Sequence, residues 1–362
     1  MKVLVVNTVP TERNGITGVI MNYLKACRES ELTFDLLSIN KPDIKYVEQV
    51  ESLGGKVYVQ QRSAARVISY WAGIRNLISR NKYDAVHVHG NSHTIVLELS
   101  AAYFSGCKTR IAHCHNTSCS HEIAHRLLKY PFDILYTQAF ACGKDAGQWM
   151  FGDKPFVVLN NGVDTERFSF NEEKRCEIRS LLRYDGKLVI GHIGSFIPVK
   201  NQKYLLPILR ELLQRDERYR LLLIGDGPMR QDLMTEVEQS GLGQYVTFAG
   251  GVDNVEAYLS AMDVIAMPSL FEGLPLTLVE QQVNGLPCVV SDTITAEVDF
   301  AGRMKFLPLD SPTETWADAL ESAFDDGDRP QRSCDAVARV KQAGFDILVE
   351  AKKYAGYLLQ AS

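Results

Sequence analysis

"DVIAMPSLFEGLPLTLVEQQVNG", residues 263–285, reads as a strand, a turn and a helix in that order. The unbroken apolar run of Val264–Met267 suits a strand buried on both faces. "LFEGLP" is the turn. The helix should start near Pro275, because a missing N–H costs nothing at the first helical position. It should end near Asn284-Gly285, a common helix ending. Strand, turn and helix form one βα repeat, the unit from which parallel sheets are built. The stretch also holds two carboxylates eight residues apart. Glu272 lies in the turn and Glu280 lies on the helix, about five residues or ~8 Å beyond its start. Gly273 lets a ligand approach the backbone, and the N–H groups of Gly273, Leu274 and the first turn are free to hold an anion such as a diphosphate. The step from there to Glu280 matches the reach from a phosphate to the diol of its ribose, and an acidic side chain on ribose hydroxyls is a known physical solution. Glu272 would then lie on the far side of the phosphates. By spacing alone, a solvated Glu272 and a helix-surface Glu280 fit equally well.

The same rhythm runs outward in both directions. "KVLVVNTV", "FDLLSI", "KVYVQ", "DAVHVHG", "TRIAHCH", "ILYTQAFAC" and "FVVLNN" read as strands, and each of the first six precedes a possible helix. The polar segment "NNGVDTERF", 160–168, interrupts this run. Then "KLVIGHIGS", "YRLLLIGDG", "VTFAG", "DVIAMPS", "PCVVSDT" and "MKFLPL" repeat the pattern. This predicts two doubly wound, Rossmann-like α/β domains facing a central cleft, over 1–165 and 166–344, with a last helix within 345–362 completing the first. Ligands in such sheets sit beyond the carboxyl ends of the strands.

The chain has 362 residues, 46% of them hydrophobic and 23% charged, which is globular composition for two domains. No apolar run is long enough to span a bilayer. The apolar start is too short for an export signal, so a cytoplasmic protein is expected, and the eight scattered cysteines read as free thiols. A net charge of −5 disfavours nucleic acid as a partner. The charge is uneven. Residues 1–165 carry 18 Lys and Arg against 14 Asp and Glu, while the remainder carries 21 against 30. A basic first half suits contact with an anionic inner leaflet.

"FEGLPLTLVE" followed by "NGLPCVVSD" resembles the E-x7-E signature of the retaining glycosyltransferases of family 4, which have the GT-B fold. Further segments resemble that family in its order: "NGITGVIMNYL" its glycine loop, "RIAHCHNTS" its acceptor-side histidine segment, "VLNNGVDTERF" its interdomain segment, and "IGHIGSFIPVKNQKYLL" its lysine-bearing loop. "LLLIGDGPMRQDL" and "VTFAGGVDNVEAYLSAMDVIAMPS" follow in turn, so the resemblance covers nearly the whole chain. It implies that Lys200 binds the donor diphosphate, Glu280 the ribose and Glu272 the donor sugar, with the backbone at Gly273 and Leu274 on phosphate or sugar. Gly15 would approach the diphosphate, and His115 would be the catalytic histidine beside the transferred sugar, with Lys200 and Glu272 as the other catalytic residues. His113 is the alternative to His115, since both point to one face of a strand; His113 and Asn116 belong to the acceptor side.

The resemblance further implies a nucleotide-sugar donor, more UDP-like than GDP-like, and no metal: a lysine and a helix start can stabilise the leaving diphosphate. The acceptor would be a glycan or a polyprenyl-diphosphate-linked glycan in bacterial capsule, exopolysaccharide or lipopolysaccharide synthesis, met at the inner face of the membrane. One position departs from the pattern. Ser195 stands where the family usually has an arginine on the diphosphate, so a charge-assisted bond of roughly 1.5–3 kcal/mol is replaced by a neutral one of about 1. That departure motivates an alternative, a catalytically degenerate partner subunit that holds the nucleotide sugar. A two-lobed solute-binding protein is a more distant reading.

Three other signals lose weight on inspection. "HEIAH", 121–125, matches a zinc-peptidase pattern but lacks the downstream glycine and third histidine of its extended form. "HCHNTSCSH" has no second ligand pair at a matching distance. "GDGP", 225–228, is not the glycine pattern of a nicotinamide site. His87 and His89, in an apolar strand, read as structural.

Overall fold

The computed structural model describes residues 1–324 and 327–360. It divides into two units, one formed by Met1–Gly162 together with the segment from Gly344 onward, the other by Val163–Ala343.

In the first unit seven strands form one parallel sheet: β1 (Lys2–Asn7), β2 (Thr33–Ser38), β3 (Val57–Val59), β4 (Ala85–His89), β5 (Thr109–Cys114), β6 (Gln138–Ala141) and β7 (Val157–Val158). Their spatial order is β3-β2-β1-β4-β5-β6-β7. β1, β4 and β5 are almost entirely buried, as expected where helices cover both faces of a parallel sheet. β6 begins later than "ILYTQAFAC" suggests, because Ile134 and Leu135 still belong to the preceding helix, Lys129–Leu135. The final helix, Ile347–Gln360, packs against the helix Gly15–Ala26 of this same unit. Its Tyr354 ring lies edge-on to Tyr23 at 5.5 Å.

In the second unit six strands repeat the plan: β8 (Leu188–Ile193), β9 (Tyr219–Ile224), β10 (Val246–Gly250), β11 (Val264–Met267), β12 (Cys288–Ser291) and β13 (Met304–Leu307). The order β10-β9-β8-β11-β12-β13 is that of the first six strands of the other sheet. Both are therefore Rossmann-like. In each, the connections leave in opposite directions from two neighbouring central strands: β1 and β4 in the first unit, β8 and β11 in the second. The crevice at the carboxyl ends of such a strand pair is where doubly wound sheets bind ligands.

The helix after β11 runs from Leu276 to Val283, with Pro275 just before it and Asn284 just after. Its far end is anchored. Asn284 Nδ2 donates to the Phe168 carbonyl at 2.8 Å, and the buried Arg329 guanidinium donates to Asn284 Oδ1 at 2.6 Å. A helix fixed at its C-terminus holds its N-terminus, and both glutamates near it, in a defined place.

Candidate functional site

In the second unit the loops leaving β8 and β11 are stitched together. Leu270 N–H donates to the Val199 carbonyl at 2.8 Å, and Asn201 Nδ2 donates to the Pro268 carbonyl at 3.1 Å. Asn201 adopts the left-handed conformation, φ 51°, which asparagine tolerates better than most residues. These bonds bring Lys200 against Glu272, with Nζ 2.5 Å from Oε1. Ser269 Oγ donates to the same oxygen at 3.0 Å. The loop after β12 joins them: Ser291 and Thr293 both donate to the Ser269 carbonyl, and Glu272 makes a single parallel bridge to Ile294. Lysine and glutamate lie 72 residues apart in the chain and meet where the connections diverge. An ammonium has three N–H donors, and Glu272 takes one.

Next to this pair the helix Leu276–Val283 starts without a side-chain cap. Among the described residues, the N–H of Leu274 has no protein acceptor, and the buried Thr277 Oγ1 has no partner. A Cβ at Gly273 would meet nothing within 4 Å, so the space over that backbone is open. Unpaired N–H groups at a helix start attract an anion. Glu280 follows one turn further along. Its residue surface is half-buried, yet its carboxyl is crowded by protein. Burial pushes its pKa up to about 7, with the nearby Glu256 adding to the rise and Arg167 opposing it. Among the described residues this carboxyl has no hydrogen-bonded protein partner.

Ser195 is exposed just beyond β8, and its carbonyl accepts from Gln202 Nε2 at 2.9 Å. Its neighbour Gly194 has a close-packing role: a Cβ there would lie 3.3 Å from the Lys200 stem. His192, beneath that stem, is pushed by burial to about 4, with the Lys200 charge contributing, and its Nε2 is buried without a partner. The glycines of the "GDGP" loop are required by the local packing. Gly225 and Gly227 have φ 139° and 156°, and Cβ atoms there would lie 2.0 Å from the Gly194 oxygen and 2.6 Å from the Phe196 oxygen.

In the first unit Gly15 opens the helix after β1, and Asn14 caps that helix by accepting from Thr17 N–H at 2.9 Å. A Cβ at Gly15 also would meet nothing. His113 and His115 share a face, as the strand period requires. His113 is buried, His115 is half-buried just after β5, and Asn116 is exposed beyond it.

His87 and His89 prove to be part of the same array. His87 Nε2 lies 3.1 Å from His113 Nδ1, and His89 Nδ1 lies 2.8 Å from His115 Nε2. The two imidazole pairs run edge to edge between β4 and β5 and lie one above the other, His113 over His115 at 4.3 Å. Tyr354 reaches His87 Nδ1 at 2.7 Å. Burial first, then the neighbouring imidazoles, hold His87, His89 and His113 well below the usual histidine range, and burial alone takes His115 to about 4. The array is neutral at pH 7, with the Nε2 of His113 and the Nδ1 of His115 buried and unpartnered.

Ring nitrogens of His87, His89 and His113 come within 4.8 Å of one another, so among the described residues these three could take a metal ion. Matching H-x-H spacings in "VHVH" and "HCH" on adjacent strands were the signal in the sequence. Asn91 Oδ1, which accepts from His115 N–H at 3.1 Å, carried none. The zinc-like "HEIAH" does not converge on a metal: His121 is exposed before the helix Glu122–Leu127, while His125 is buried, stacked on His93 at 3.8 Å and bonded to it.

Residues 187–326 match the family described as glycosyl transferases group 1. The chain is 34% identical over 349 residues to the putative glycosyltransferase EpsF of Bacillus subtilis, covering 92% of this chain and 90% of that one. It is 27% identical over 234 residues to the UDP-Gal:alpha-D-GlcNAc-diphosphoundecaprenol alpha-1,3-galactosyltransferase of Escherichia coli, covering 60% of this chain and 59% of that one. Among solved structures, Anabaena Alr3699/HepE in complex with UDP superposes with a TM-score of 0.77 at 17% identity, covering 99% of this chain and all of that one. The fold is thus GT-B.

Proposed function

We propose that this chain, which belongs to the group 1 glycosyl transferases, moves a sugar from a UDP-linked donor to a hydroxyl of a glycan or lipid-linked glycan, with retention at the transferred carbon. The observation that carries the reading is the Lys200–Glu272 pair beside an uncapped helix start, followed by a desolvated and unpartnered Glu280. The second unit is the donor domain. Lys200 and the N–H groups of Gly273 and Leu274 hold the diphosphate, with Ser195 adding a neutral hydrogen bond. Glu280 accepts from the ribose hydroxyls, and Glu272 addresses the sugar. The first unit is the acceptor domain, with His115 beside the transferred sugar, His113 behind it, Asn116 at the acceptor and Gly15 giving the diphosphate close access.

In the reaction the bond from the anomeric carbon to the phosphate oxygen breaks, and a bond to the acceptor oxygen forms on the same face. The acceptor proton passes to the departing phosphate oxygen. The leaving diphosphate gathers charge as the bond breaks, and an ammonium plus oriented N–H groups stabilise it without a metal. UDP is favoured because the Escherichia coli relative is named for UDP-Gal and the Anabaena structure was solved with UDP. The same relative acts on a diphosphoundecaprenol-linked sugar, which supports a polyprenyl-diphosphate-linked acceptor in surface-polysaccharide synthesis at the cytoplasmic face of the membrane.

The test is transfer from a panel of UDP- and GDP-sugars with wild type, Lys200→Ala and Glu272→Ala. Each variant should lose at least 100-fold in turnover, an amount typical of removing one transition-state donor. Full activity in both would sink the assignment. Ser195 favours a second reading, a degenerate partner subunit. Wild type inactive with every donor, and active after Ser195→Arg, would select it.

A further inference from the structure

The loops leaving β8 and β9 in the second unit are bonded to each other. Phe196 N–H donates to the Asp226 carbonyl at 2.9 Å, and Met229 N–H donates to the Phe196 carbonyl at 3.0 Å. The next residue, Arg230, opens the helix Arg230–Gln239. The buried residues of that helix are Leu233 and Val237, three and seven positions further on. The helical period therefore puts Arg230 on the inner, core-facing stripe. It stands at the end of that stripe beside the carboxyl ends of the strands, where a helix following a parallel strand begins.

A cation on a core-facing stripe is ordinarily paired. Arg230 is not. It is half-buried, its Nε is enclosed without a partner, and among the described residues its guanidinium makes no ion pair or hydrogen bond. The acids of its own segment are used or turned away. Asp226 accepts from Gly227 N–H at 2.8 Å, and Glu236 is paired with Lys203 at 3.0 Å. Asp232 is exposed, two residues along the helix, a spacing at which side chains do not face each other. A guanidinium has five N–H donors, and a group that loses water without gaining acceptors is destabilising. The diphosphate read above into this crevice is doubly negative. Lys200 offers it one cation, already shared with Glu272, and Ser195 offers no charge.

We propose that Arg230 is the second cation of the donor site, donating to the diphosphate from the loop after β9. A planar fork of donors matches phosphate oxygens two at a time. The contact between the loops gives it the right neighbourhood. Cβ atoms at Gly225 and Gly227 would strike the Gly194 and Phe196 oxygens, so glycine at both positions lets the loop carrying Arg230 lie against the loop carrying Ser195. Lys200 and Arg230 then approach one anion from neighbouring loops, and the charge that Ser195 lacks is supplied one strand away. Arg230's role rests on the proposed function, which makes this crevice the donor site.

The experiment is calorimetric titration of the whole protein with UDP and with GDP, for wild type, Arg230→Met, Arg230→Lys, Lys200→Ala and the double variant Ser195→Arg/Arg230→Met. Methionine keeps an apolar stem in the enclosed space and removes the charge. Arg230→Met should weaken the nucleotide at least about tenfold, the effect of one lost charge-assisted bond, with an unchanged melting temperature because no protein partner is lost. Arg230→Lys should keep part of the affinity. Adding Ser195→Arg to Arg230→Met should restore most of it, a coupling expected only if both positions serve one anion. Arg230→Met with wild-type affinity, beside a Lys200→Ala that has lost it, would overturn this role and leave the proposed function standing. So would a loss that comes with a lower melting temperature and is relieved by neither Arg230→Lys nor Ser195→Arg, which would make Arg230 a packing residue. Wild type that binds neither nucleotide would overturn the proposed function and this role with it.

Discussion

If Glu280 holds the donor's ribose, as proposed, it links donor binding to pH in a way that can be measured. Its carboxyl sits at about 7 in the unbound protein instead of the ordinary 4.5, chiefly through burial. Hydrogen bonds from a ribose diol favour the ionised form, so binding should return the value toward its ordinary range and expel a proton. If it returns fully, a UDP-sugar releases about 0.5 proton at pH 7, and its affinity rises about tenfold between pH 6 and pH 8. A UDP-sugar is the right ligand because its diphosphate, esterified at both ends, does not titrate in that window. In the unbound protein His192, close to Lys200, is held at about 4.

Stability carries the opposite sign. A carboxyl whose folded pKa is raised contributes fully below about 4.5, and that contribution is lost as pH rises through about 7. Above pH 7 the ionised, unpartnered Glu280 therefore costs the unbound fold about 3 kcal/mol. Glu280→Gln should stabilise the unbound protein at pH 8 by about 1–3 kcal/mol, a melting-temperature rise of roughly 3–10 °C. It should also weaken UDP-sugar binding about tenfold there and remove the pH slope. Calorimetry in two buffers of different ionisation enthalpy counts the protons. A flat pH profile in wild type with no proton released would refute the reasoning.

Three further predictions concern other parts of the molecule. His115→Ala should lower turnover at least tenfold with a small change in melting temperature, whereas His113→Ala, which empties a buried position under Phe140, should destabilise by about 2–4 kcal/mol; the reverse pattern in a paired melting and kinetic assay would exchange their roles. Gly225→Ala forces a Cβ to 2.0 Å from the Gly194 oxygen at φ 139°, and should destabilise by more than about 3 kcal/mol in chemical denaturation; a neutral effect would show that the loop after β9 can move. Chelator treatment should leave both transfer and melting temperature unchanged; a fall in either, restored by one transition metal and abolished in His87→Ala, would place that metal on the histidine array.

The βα rhythm, the helix beginning after Pro275 and ending at Asn284, and the turn position of Glu272 were all legible along the chain. Each depends on residues within a few positions of one another: an apolar run, a proline that cannot donate, an asparagine-glycine ending. The E-x7-E pair was equally readable, because the two carboxylates belong to one local strand-turn-helix unit. What the chain could not decide alone was which distant residues meet. The contact between Lys200 and Glu272 exists because β8 and β11 are neighbours with diverging connections and their loops are bonded at Leu270 and Asn201. The same holds for the histidines. An apolar strand around His87 and His89 reads as core, and only the pairing of β4 with β5 turns two separate H-x-H spacings into a four-imidazole array, capped by a tyrosine 267 residues further on. Local pattern sets the elements because backbone conformation and amphipathicity are short-range properties. Charge pairing, burial and the resulting pKa values are set by what tertiary packing places around a group, and for Glu280 that packing lifts an ordinary helix carboxylate to about 7.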